Sequence, residues 1–523
     1  MTIGGRIEKA AAFAGAFVAI WPIATLLADG RFRKSWPCLS GQFALLLGGY
    51  VLCVVAVLVL LPGAWPFVLG LTIAALAYER WQSRPTRGGT RGLPPGSLAY
   101  AAIPSPLGPR FFFEQARLHG PVFKHRTLGA PGAFGSPTIC VVGHDKGLHL
   151  LGHHGDAIQT RDDRRWTPFA DLIPRGFIRY MDEEDHADYR ALFGPALGQR
   201  VIEPNQPFLR QTAGQTLAGM ATESTAGRGP GIRPRDYMPH FTLNAFIALF
   251  LGITPDAPEF AELQNLYGTF HLKKTRCADV RRRQSAFAPI AALVGAHGRN
   301  VARAVAENRS HRVSVLSEIL AARPDALDDP TLMGNLICLL ETGRKDLAGL
   351  MSWVLKMLAD DPHWLDRVRD EQNSAAGAAI EDQIPLTERI LKETLRLEQS
   401  EYLARRITED MTYDGFTFPK GWLLRICIRE GHRDPNVFDE PERFDPDRFL
   451  GRTYPTSEYA PLGIDGHRCL GVHFIDAVGG ALIEELAQSY HLEKTGDGEH
   501  WFGHSQLEPS RDFRLRMTPR AVT

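Results

Sequence analysis

The sequence carries no excess of charge of either sign. Its 523 residues include 59 basic and 59 acidic side chains, so the formal net charge is zero. Nucleic-acid-binding proteins normally show a marked basic excess, so we expect no nucleic acid among the partners. The hydrophobic fraction of 44% is ordinary for a globular chain. This composition excludes a low-complexity disordered protein.

Closely spaced cysteines are also missing. The chain has seven cysteines, and no two of them form a C-x-x-C pair; they lie at positions 38, 53, 140, 277, 338, 427 and 469. A disulfide scaffold or a structural zinc site is therefore not expected. The pattern is typical of a reducing compartment and leaves a single cysteine available for a chemical role.

Two long runs without charge lie near the N-terminus. Residues 10–28 and 43–78 contain no charged side chain, and the first run, 19 residues long, can cross a bilayer as a helix. The second run is interrupted at Pro62 and Pro66, which indicates a helical hairpin. Residues 1–83 are therefore predicted to form a membrane anchor of two or three transmembrane helices.

The basic residues around these runs favour three crossings. They lie at positions 31, 33 and 34 and again at 80, 84, 87 and 91, whereas the Pro62 turn carries none. Three crossings place both clusters on the cytoplasmic side, with the bulk of the chain, whereas two would separate them. A cleaved signal peptide is the alternative, but a further apolar run follows the first at once, which favours an anchor. Residues 84–96 are interpreted as a basic linker rich in proline and glycine.

Residues 97–523 are predicted to form one large domain that is mainly α with a small β part. Short strand patterns occur at 121–127, 137–142 and within 403–428. Between them the periodicity is mostly helical. Apolar residues at helical spacing over 332–358 predict a long, buried central helix.

One cysteine stands in a loop suited to chemistry, residues 459–471 (YAPLGIDGHRCLG). Glycines surround Cys469, and an apolar helical run begins directly after the loop. Amide N–H groups and a helix N-terminus favour a thiolate, and a thiolate in such a pocket can ligate haem iron. The alternative is a buried core cysteine.

A second pattern lies upstream of this loop. Glu393 and Arg396 are three residues apart on an amphipathic helix and can pair, although many surface pairs share that spacing. The order of motifs is more informative than the pair alone. The pair is followed by residues 441–444 (PERF), residues 446–449 (PDRF) and then the cysteine loop.

In this order of motifs, residues 94–520 resemble the cytochrome P450 family of haem-thiolate enzymes. The resemblance implies a cytochrome P450 fold preceded by N-terminal transmembrane helices, and haem b with the Cys469 thiolate as axial ligand of the iron. It implies a buried structural triad formed by Glu393, Arg396 and Arg448. The arginine of the earlier block, PERF, is not expected to belong to this triad. Four residues match the family's contacts to the haem propionates: His186, Arg190, Arg405 and His467. Their side chains can form charge-assisted hydrogen bonds with a propionate.

Two departures from the family pattern stand out. Leu462 and Asp465 occupy loop positions where the family usually has phenylalanine and glycine. In addition, an ungapped match puts the oxygen-activation motif A-G-x-[DE]-T on residues 342–346, so Lys345 replaces the acid and Asp346 the alcohol. The literal acid–alcohol pair Glu341-Thr342 lies one turn earlier. The choice between these assignments stays open, and the catalytic candidates are Asp346, Lys345 and Thr342.

The resemblance implies a monooxygenase that inserts one oxygen atom of O₂ into a hydrophobic small molecule. No flavin- or ferredoxin-like segment follows Cys469, so the electrons would come from a separate donor, a ferredoxin with its reductase or a flavoprotein reductase. Two alternatives remain. One is a peroxide-using or non-reductive haem-thiolate enzyme, of the peroxygenase, isomerase or dehydratase type. The other is a non-catalytic haem sensor.

Overall fold

The computed structural model describes residues 92–97, 110–126, 137–160, 172–181, 183–226, 231–270, 277–374, 384–399, 402–464, 466–496, 500–502, 507–509 and 512–521. The predicted membrane anchor, residues 1–83, lies outside these ranges, as do Asp465 and most of the predicted linker. Among the helices within the described ranges, none has both the length and the apolar character needed to cross a membrane.

Helices dominate the described chain, as the sequence predicts. The α-helices are α1 (Arg110–His119), α2 (His144–His154), α3 (Glu183–Ala196), α4 (Gln199–Ile202), α5 (Gln206–Ala226), α6 (Met238–Leu251), α7 (Pro258–Thr269), α8 (Cys277–Ala306), α9 (Val315–Ala322), α10 (Pro330–Asp360), α11 (His363–Asn373), α12 (Leu386–Thr394), α13 (Ile428–Gly431) and α14 (Val472–Ser489). A π-helical turn, Leu395–Gln399, directly follows α12.

The strands are short. They are β1 (Gly96–Ser97), β2 (Val122–Arg126), β3 (Pro137–Val142), β4 (Ile158–Thr160), β5 (Tyr402–Ile407), β6 (Met411–Tyr413), β7 (Phe416–Phe418), β8 (Leu423–Cys427), β9 (Tyr490–Gly496), β10 (His500–Phe502), β11 (Leu507–Pro509) and β12 (Arg514–Pro519). Together with the helices they confirm a mainly α fold with a small β part.

The chain divides into two compact units. The first comprises Met1–Gln159 with Tyr402–Gly431, and the second comprises Thr160–Glu401 with His432–Thr523. The first unit is built on a six-stranded mixed sheet in the order β1-β2-β3-β8-β5-β4. A two-residue hairpin joins β6 to β7 through Asp414 and Gly415, both at positive φ, as a tight primed turn requires.

The second unit is organised around α10, which we call the central helix. Asp329 caps its N-terminus, because Oδ1 accepts hydrogen bonds from the N–H groups of Thr331 and Leu332 at 2.9 and 3.0 Å. Pro330 follows at the first helical position, where its missing N–H costs nothing. Most of the central helix is buried, as expected of a core helix whose apolar residues continue around its circumference.

Candidate active site

The cysteine loop brings its thiol to the start of a long helix. The Cys469 amide donates to the carbonyl of Leu462 at 2.9 Å, which closes the loop. Gly463 lies at φ 93°, a conformation that a side chain would strain. Gly471, two residues after the cysteine, is the N-cap of the 18-residue helix α14. The thiol therefore lies at the positive end of a helix dipole.

Cys469 differs from the other described cysteines in its accessibility. Cys140, Cys338 and Cys427 are buried, whereas Cys469 is exposed. Burial nevertheless has the largest influence on the pKa of the Cys469 thiol and raises it. The two findings agree if the thiol opens into a space that protein encloses on most sides. Such a setting fits a flat, buried cofactor that approaches the sulfur.

Charges from three other elements act on this thiol. After burial, a hydrogen bond from the Gly471 N–H lowers its pKa, while the charge of Asp346 on the central helix raises it. The guanidinium groups of Arg179 and Arg190 lower it. The structure thus brings two arginines and one carboxylate into the electrostatic neighbourhood of the cysteine.

Two of the predicted propionate contacts lie against each other. The rings of His186, on α3, and His467 stack with centroids 3.8 Å apart. His467 Nε2 lies 3.0 Å from Thr160 Oγ1. Arg190 follows His186 by four residues, so the two share one face of α3. Arg405 is buried on β5, in the first unit. Its role as a propionate contact stays a prediction.

The predicted triad is a network of short ion pairs around a fully buried carboxylate. Glu393 Oε2 accepts from Arg396 Nε at 2.7 Å, and Oε1 accepts from Arg396 Nη2 at 2.8 Å. Arg448 Nε donates to Oε1 at 2.9 Å, and the Asp445 amide donates to the same atom at 3.0 Å. Four donors therefore satisfy Glu393, which removes most of the cost of burying its charge.

The remaining donors of Arg396 connect this network to the chain before the cysteine loop. Its Nη1 donates to the carbonyls of His432 and Pro441 at 2.9 and 2.7 Å. Arg443, from the earlier arginine block, is exposed and pairs with Glu440 at 2.7 Å. The arginine that pairs with Glu393 is therefore Arg448 of the second block, and not Arg443 of the first.

On the central helix, Glu341 pairs with cations. It is fully buried, and its Oε2 accepts from Arg344 Nε at 2.7 Å. Its Oε1 forms an ion pair with Lys345 Nζ, one turn along the helix. Arg344 Nη2 also donates to the Tyr267 carbonyl on α7 at 2.8 Å. The literal acid of the pair Glu341-Thr342 is therefore already held by two side chains.

Neighbouring residues of the central helix serve its packing. The Thr342 hydroxyl donates back to the Cys338 carbonyl at 3.0 Å, within the helix itself. At Gly343, an added Cβ would lie 2.6 Å from Cε1 of Phe246 on α6, so glycine permits the close helix contact. Asp346, one of the three predicted catalytic residues, raises the pKa of the Cys469 thiol through its charge.

Sequence reasoning singled out no individual residue of the segment that carries Arg179. Residues 172–181 run over the first turns of the central helix, where Asn335 Oδ1 accepts from the Ile178 amide at 2.8 Å. Gly334 faces Ile173, whose Cγ1 would lie 3.0 Å from an added Cβ. No motif marks these residues, because the partners lie more than 150 residues apart in sequence.

This fold and this cysteine site define a haem-thiolate protein, and comparison with known proteins specifies the family. The family model described as "Cytochrome P450" matches residues 110–497. The chain belongs to the cytochrome P450 family, a class of oxidoreductases that hold haem through a cysteine thiolate.

Similar proteins include plant enzymes and a solved bacterial structure. The chain is 29% identical over 227 residues to "Abscisic acid 8'-hydroxylase 2" of Arabidopsis thaliana, which covers 41% of this chain and 47% of that enzyme. It is 25% identical over 450 residues to "Abscisic acid 8'-hydroxylase 1" of Oryza sativa subsp. japonica, covering 82% and 89%. The structure of retinoic acid-bound cyanobacterial CYP120A1 aligns with a TM-score of 0.63 at 22% identity, covering 79% and 95%.

The matches differ in how much of each relative they span. The chain spans about half the length of the Arabidopsis enzyme but 89% of the rice enzyme. The likeness to CYP120A1 shows the fold alone. These comparisons establish the family, the fold and the class of cofactor.

Proposed function

We propose that this chain is a monooxygenase that inserts one oxygen atom of O₂ into a hydrophobic small molecule, with Cys469 as the axial ligand of its haem. The observation that carries this proposal is the accessible thiol of Cys469 at the N-terminus of α14. When bound, the haem supplies oxygen activation, and the thiolate donates the electron density that favours O–O cleavage.

The chain's own residues would hold the cofactor. His186, Arg190, Arg405 and His467 provide charge-assisted hydrogen bonds to the two propionates. The stacked pair of His186 and His467 supports this, since each ring fixes the orientation of the other. Glu393, Arg396 and Arg448 have a structural role, fixing the chain that precedes the cysteine loop.

Asp346 is the residue we assign to proton delivery. A carboxylic acid can give up a proton only while it is protonated, and a neighbouring ammonium would keep it ionised. The ion pair between Lys345 Nζ and Glu341 supports this proposal, because it gives the ammonium another carboxylate as a partner. Asp346 can therefore act as a general acid in place of the family's alcohol.

The remaining parts of the proposal rest on the sequence and on the relatives' names. A membrane anchor in residues 1–83, with the catalytic domain on the cytoplasmic side, would deliver lipid-soluble substrates. Electrons would come from a ferredoxin with its reductase or from a flavoprotein reductase. The relatives' names include a hydroxylase of abscisic acid, and the aligned structure holds retinoic acid. An apolar molecule that carries an acid group is therefore a reasonable substrate class.

The test is replacement of the thiolate. Cys469→His should retain part of the haem but abolish the red-shifted Soret band of the ferrous–CO form, which requires a thiolate ligand. Cys338→Ala, a change at a buried cysteine of the central helix, is the matched control and should keep that band. A purified Cys469→His protein that keeps the band would contradict the assignment.

A further inference from the structure

One face of α3 is buried. His186, Tyr189 and Phe193 are each at most 9% exposed, and they recur at intervals of three and four residues, the spacing of a single helical face. His186 and Tyr189 are thus neighbours on that face, one turn apart. A group that fixes the orientation of α3 at Tyr189 therefore also fixes where His186 is presented.

His186 connects this face to the cysteine loop. Its ring stacks on that of His467 with centroids 3.8 Å apart, and His467 lies two residues before Cys469. His467 Nε2 in turn lies 3.0 Å from Thr160 Oγ1. The connection between α3 and the site is therefore a direct contact between side chains.

Tyr189 connects the same face to the start of the central helix. Its hydroxyl donates to Asp329 Oδ2 at 3.0 Å, across 140 residues of sequence. Oδ1 of the same carboxylate caps the central helix, and Oδ2 also pairs with Arg323 Nη1 at 3.1 Å. One carboxylate thus holds both the first turn of the central helix and the middle of α3.

The protonation states of the two groups favour a strong hydrogen bond. Burial raises the pKa of the Tyr189 hydroxyl, and so does the bond to Asp329, so the hydroxyl keeps its proton. Burial also acts to raise the pKa of Asp329, but its hydrogen bonds and the charge of Arg323 outweigh burial and lower the pKa overall. The acceptor is therefore ionised, and a hydrogen bond to an ionised acceptor is stronger than one between neutral groups.

We propose that Tyr189 and Asp329 are positioning residues for the haem, because their hydrogen bond orients α3 so that His186 can bind a haem propionate. This inference rests on the proposed function, in which His186 is one of the propionate contacts. Both residues act through His186 and do not themselves bind the haem. One carboxylate then positions two parts of the site, the propionate-binding face of α3 and the start of the helix that carries Asp346.

The test is the rate at which haem leaves the protein. Haem release from the full-length, haem-loaded protein is followed by transfer to an excess of apomyoglobin. Tyr189→Phe removes the hydroxyl and keeps the ring, and it should accelerate release by about 10-fold, the effect of losing one hydrogen bond to a charged group. Asp329→Asn should act in the same direction, because asparagine can still cap the helix but carries no charge.

A double-mutant cycle tests whether the effect passes through His186. His186→Ala alone should accelerate release, and Tyr189→Phe should then add little to it, because the side chain that it positions is gone. Were Tyr189 merely structural, the two effects would add. Tyr413→Phe is the matched control, since Tyr413 is also buried and donates to the Lys146 carbonyl at 3.0 Å. It should leave haem release unchanged.

A second measurement needs no change at His186. The propionate bending vibrations in the resonance Raman spectrum should shift in Tyr189→Phe and stay in place in Tyr413→Phe. Additive effects in the cycle, an unchanged release rate in Tyr189→Phe, or unshifted propionate vibrations would overturn the proposal. Failure of the proposed function is distinguishable, because the unmodified protein would then lack the red-shifted ferrous–CO band.

Discussion

At the scale of single residues, the ion pair between Lys345 and Glu341 lies beside the carboxylate proposed for proton delivery. Lys345 and Asp346 are adjacent in sequence, but adjacent residues of a helix point in different directions. Lys345 instead reaches back one turn to Glu341, whose other oxygen is held by Arg344 at 2.7 Å. The ammonium of Lys345 thus has a fully buried carboxylate as one partner.

The first prediction concerns Asp346 itself. Asp346→Asn should lower electron-driven product formation by about 100-fold, the usual effect of losing a general acid, without loss of haem or of substrate binding. Asp346→Thr should restore part of the activity, because a hydroxyl can also pass on a proton. Product formation and electron consumption are measured together with substrate-induced spin change.

Asp360, at the C-terminal end of the same helix, offers a control. It pairs with Lys356 and with Lys494, and Asp360→Asn should leave product formation unchanged. Unaltered turnover and coupling in Asp346→Asn, from mildly acidic to alkaline pH, would remove Asp346 from the mechanism. A variant that fails only with peroxide would favour the peroxide-using alternative.

A second prediction concerns the pH dependence of stability at Asp476 on α14. Burial and the charge of Glu388 raise the pKa of this carboxyl from 3.8 to about 6, against the opposing effect of Lys392. The folded protein therefore holds this proton more tightly than the unfolded chain. The stability that it contributes is present below the unfolded pKa and is lost as pH rises through about 6.

Asp476→Asn should remove this pH dependence. Relative to the variant, the free energy of unfolding of the unmodified protein should fall as pH rises through the window between the two pKa values. Denaturant unfolding of both proteins at a series of pH values checks this expectation. Curves that stay parallel through that window would show that Asp476 titrates normally.

At the scale of elements, the network around Glu393 connects α12 and its π-helical extension with the chain that leads to the cysteine loop. Arg396→Ala would leave Glu393 as a buried charge without its main partner, a loss of about 3–5 kcal/mol. We therefore expect the variant to fail to incorporate haem, measured as the haem-to-protein ratio after purification.

The earlier arginine block provides the comparison for this variant. Arg443 is exposed and its side chain pairs with Glu440 at the surface, so Arg443→Ala should have little effect on stability and retain haem. A soluble Arg396→Ala protein with a full complement of haem would show that the network is not needed for the site.

Elements were more predictable from sequence than contacts. Helical periodicity predicted the central helix over 332–358, and the structure places it at Pro330–Asp360. The strand patterns at 121–127 and 137–142 correspond to β2 and β3. Such periodicity is local, so it is visible in sequence.

The side-chain partners of the site were largely not predictable. Arg344 bonds the Tyr267 carbonyl 77 residues away, and Asn335 bonds Ile178 at a separation of 157. A backbone carbonyl or amide has no residue signature, so no motif can mark these bonds. The cysteine loop and the Glu393 pair were found because their residue types and order are themselves the signal.

At the scale of the whole molecule, the end of the predicted linker is part of the first unit. Lys124 on β2 is fully buried and donates from Nζ to the Pro94 carbonyl at 2.8 Å. Its amide donates to the Pro95 carbonyl at 2.7 Å. An added Cβ at Gly96 would lie 2.3 Å from the Lys124 carbonyl oxygen, so the chain passes too close for a side chain. Residues 94–96 therefore belong to the folded unit.

This attachment leads to a prediction about truncation. A protein lacking residues 1–91 keeps the carbonyls of Pro94 and Pro95, and we expect it to be released from the membrane, to fold and to incorporate haem. A protein lacking residues 1–97 loses both acceptors and leaves the buried Lys124 ammonium without the Pro94 carbonyl. That loss should cost about 1–3 kcal/mol or more, because the group is charged.

The two truncations are compared by membrane fractionation, haem-to-protein ratio and thermal unfolding. The shorter deletion should show normal haem content, and the longer one a lower melting temperature. In the longer deletion, Lys124→Met should recover part of the lost stability, since it removes a buried charge that has lost the Pro94 carbonyl. If the protein lacking residues 1–91 cannot incorporate haem, the apolar N-terminal runs are part of the folded core. Equal stability of the two truncations would show that the Lys124 contacts contribute nothing.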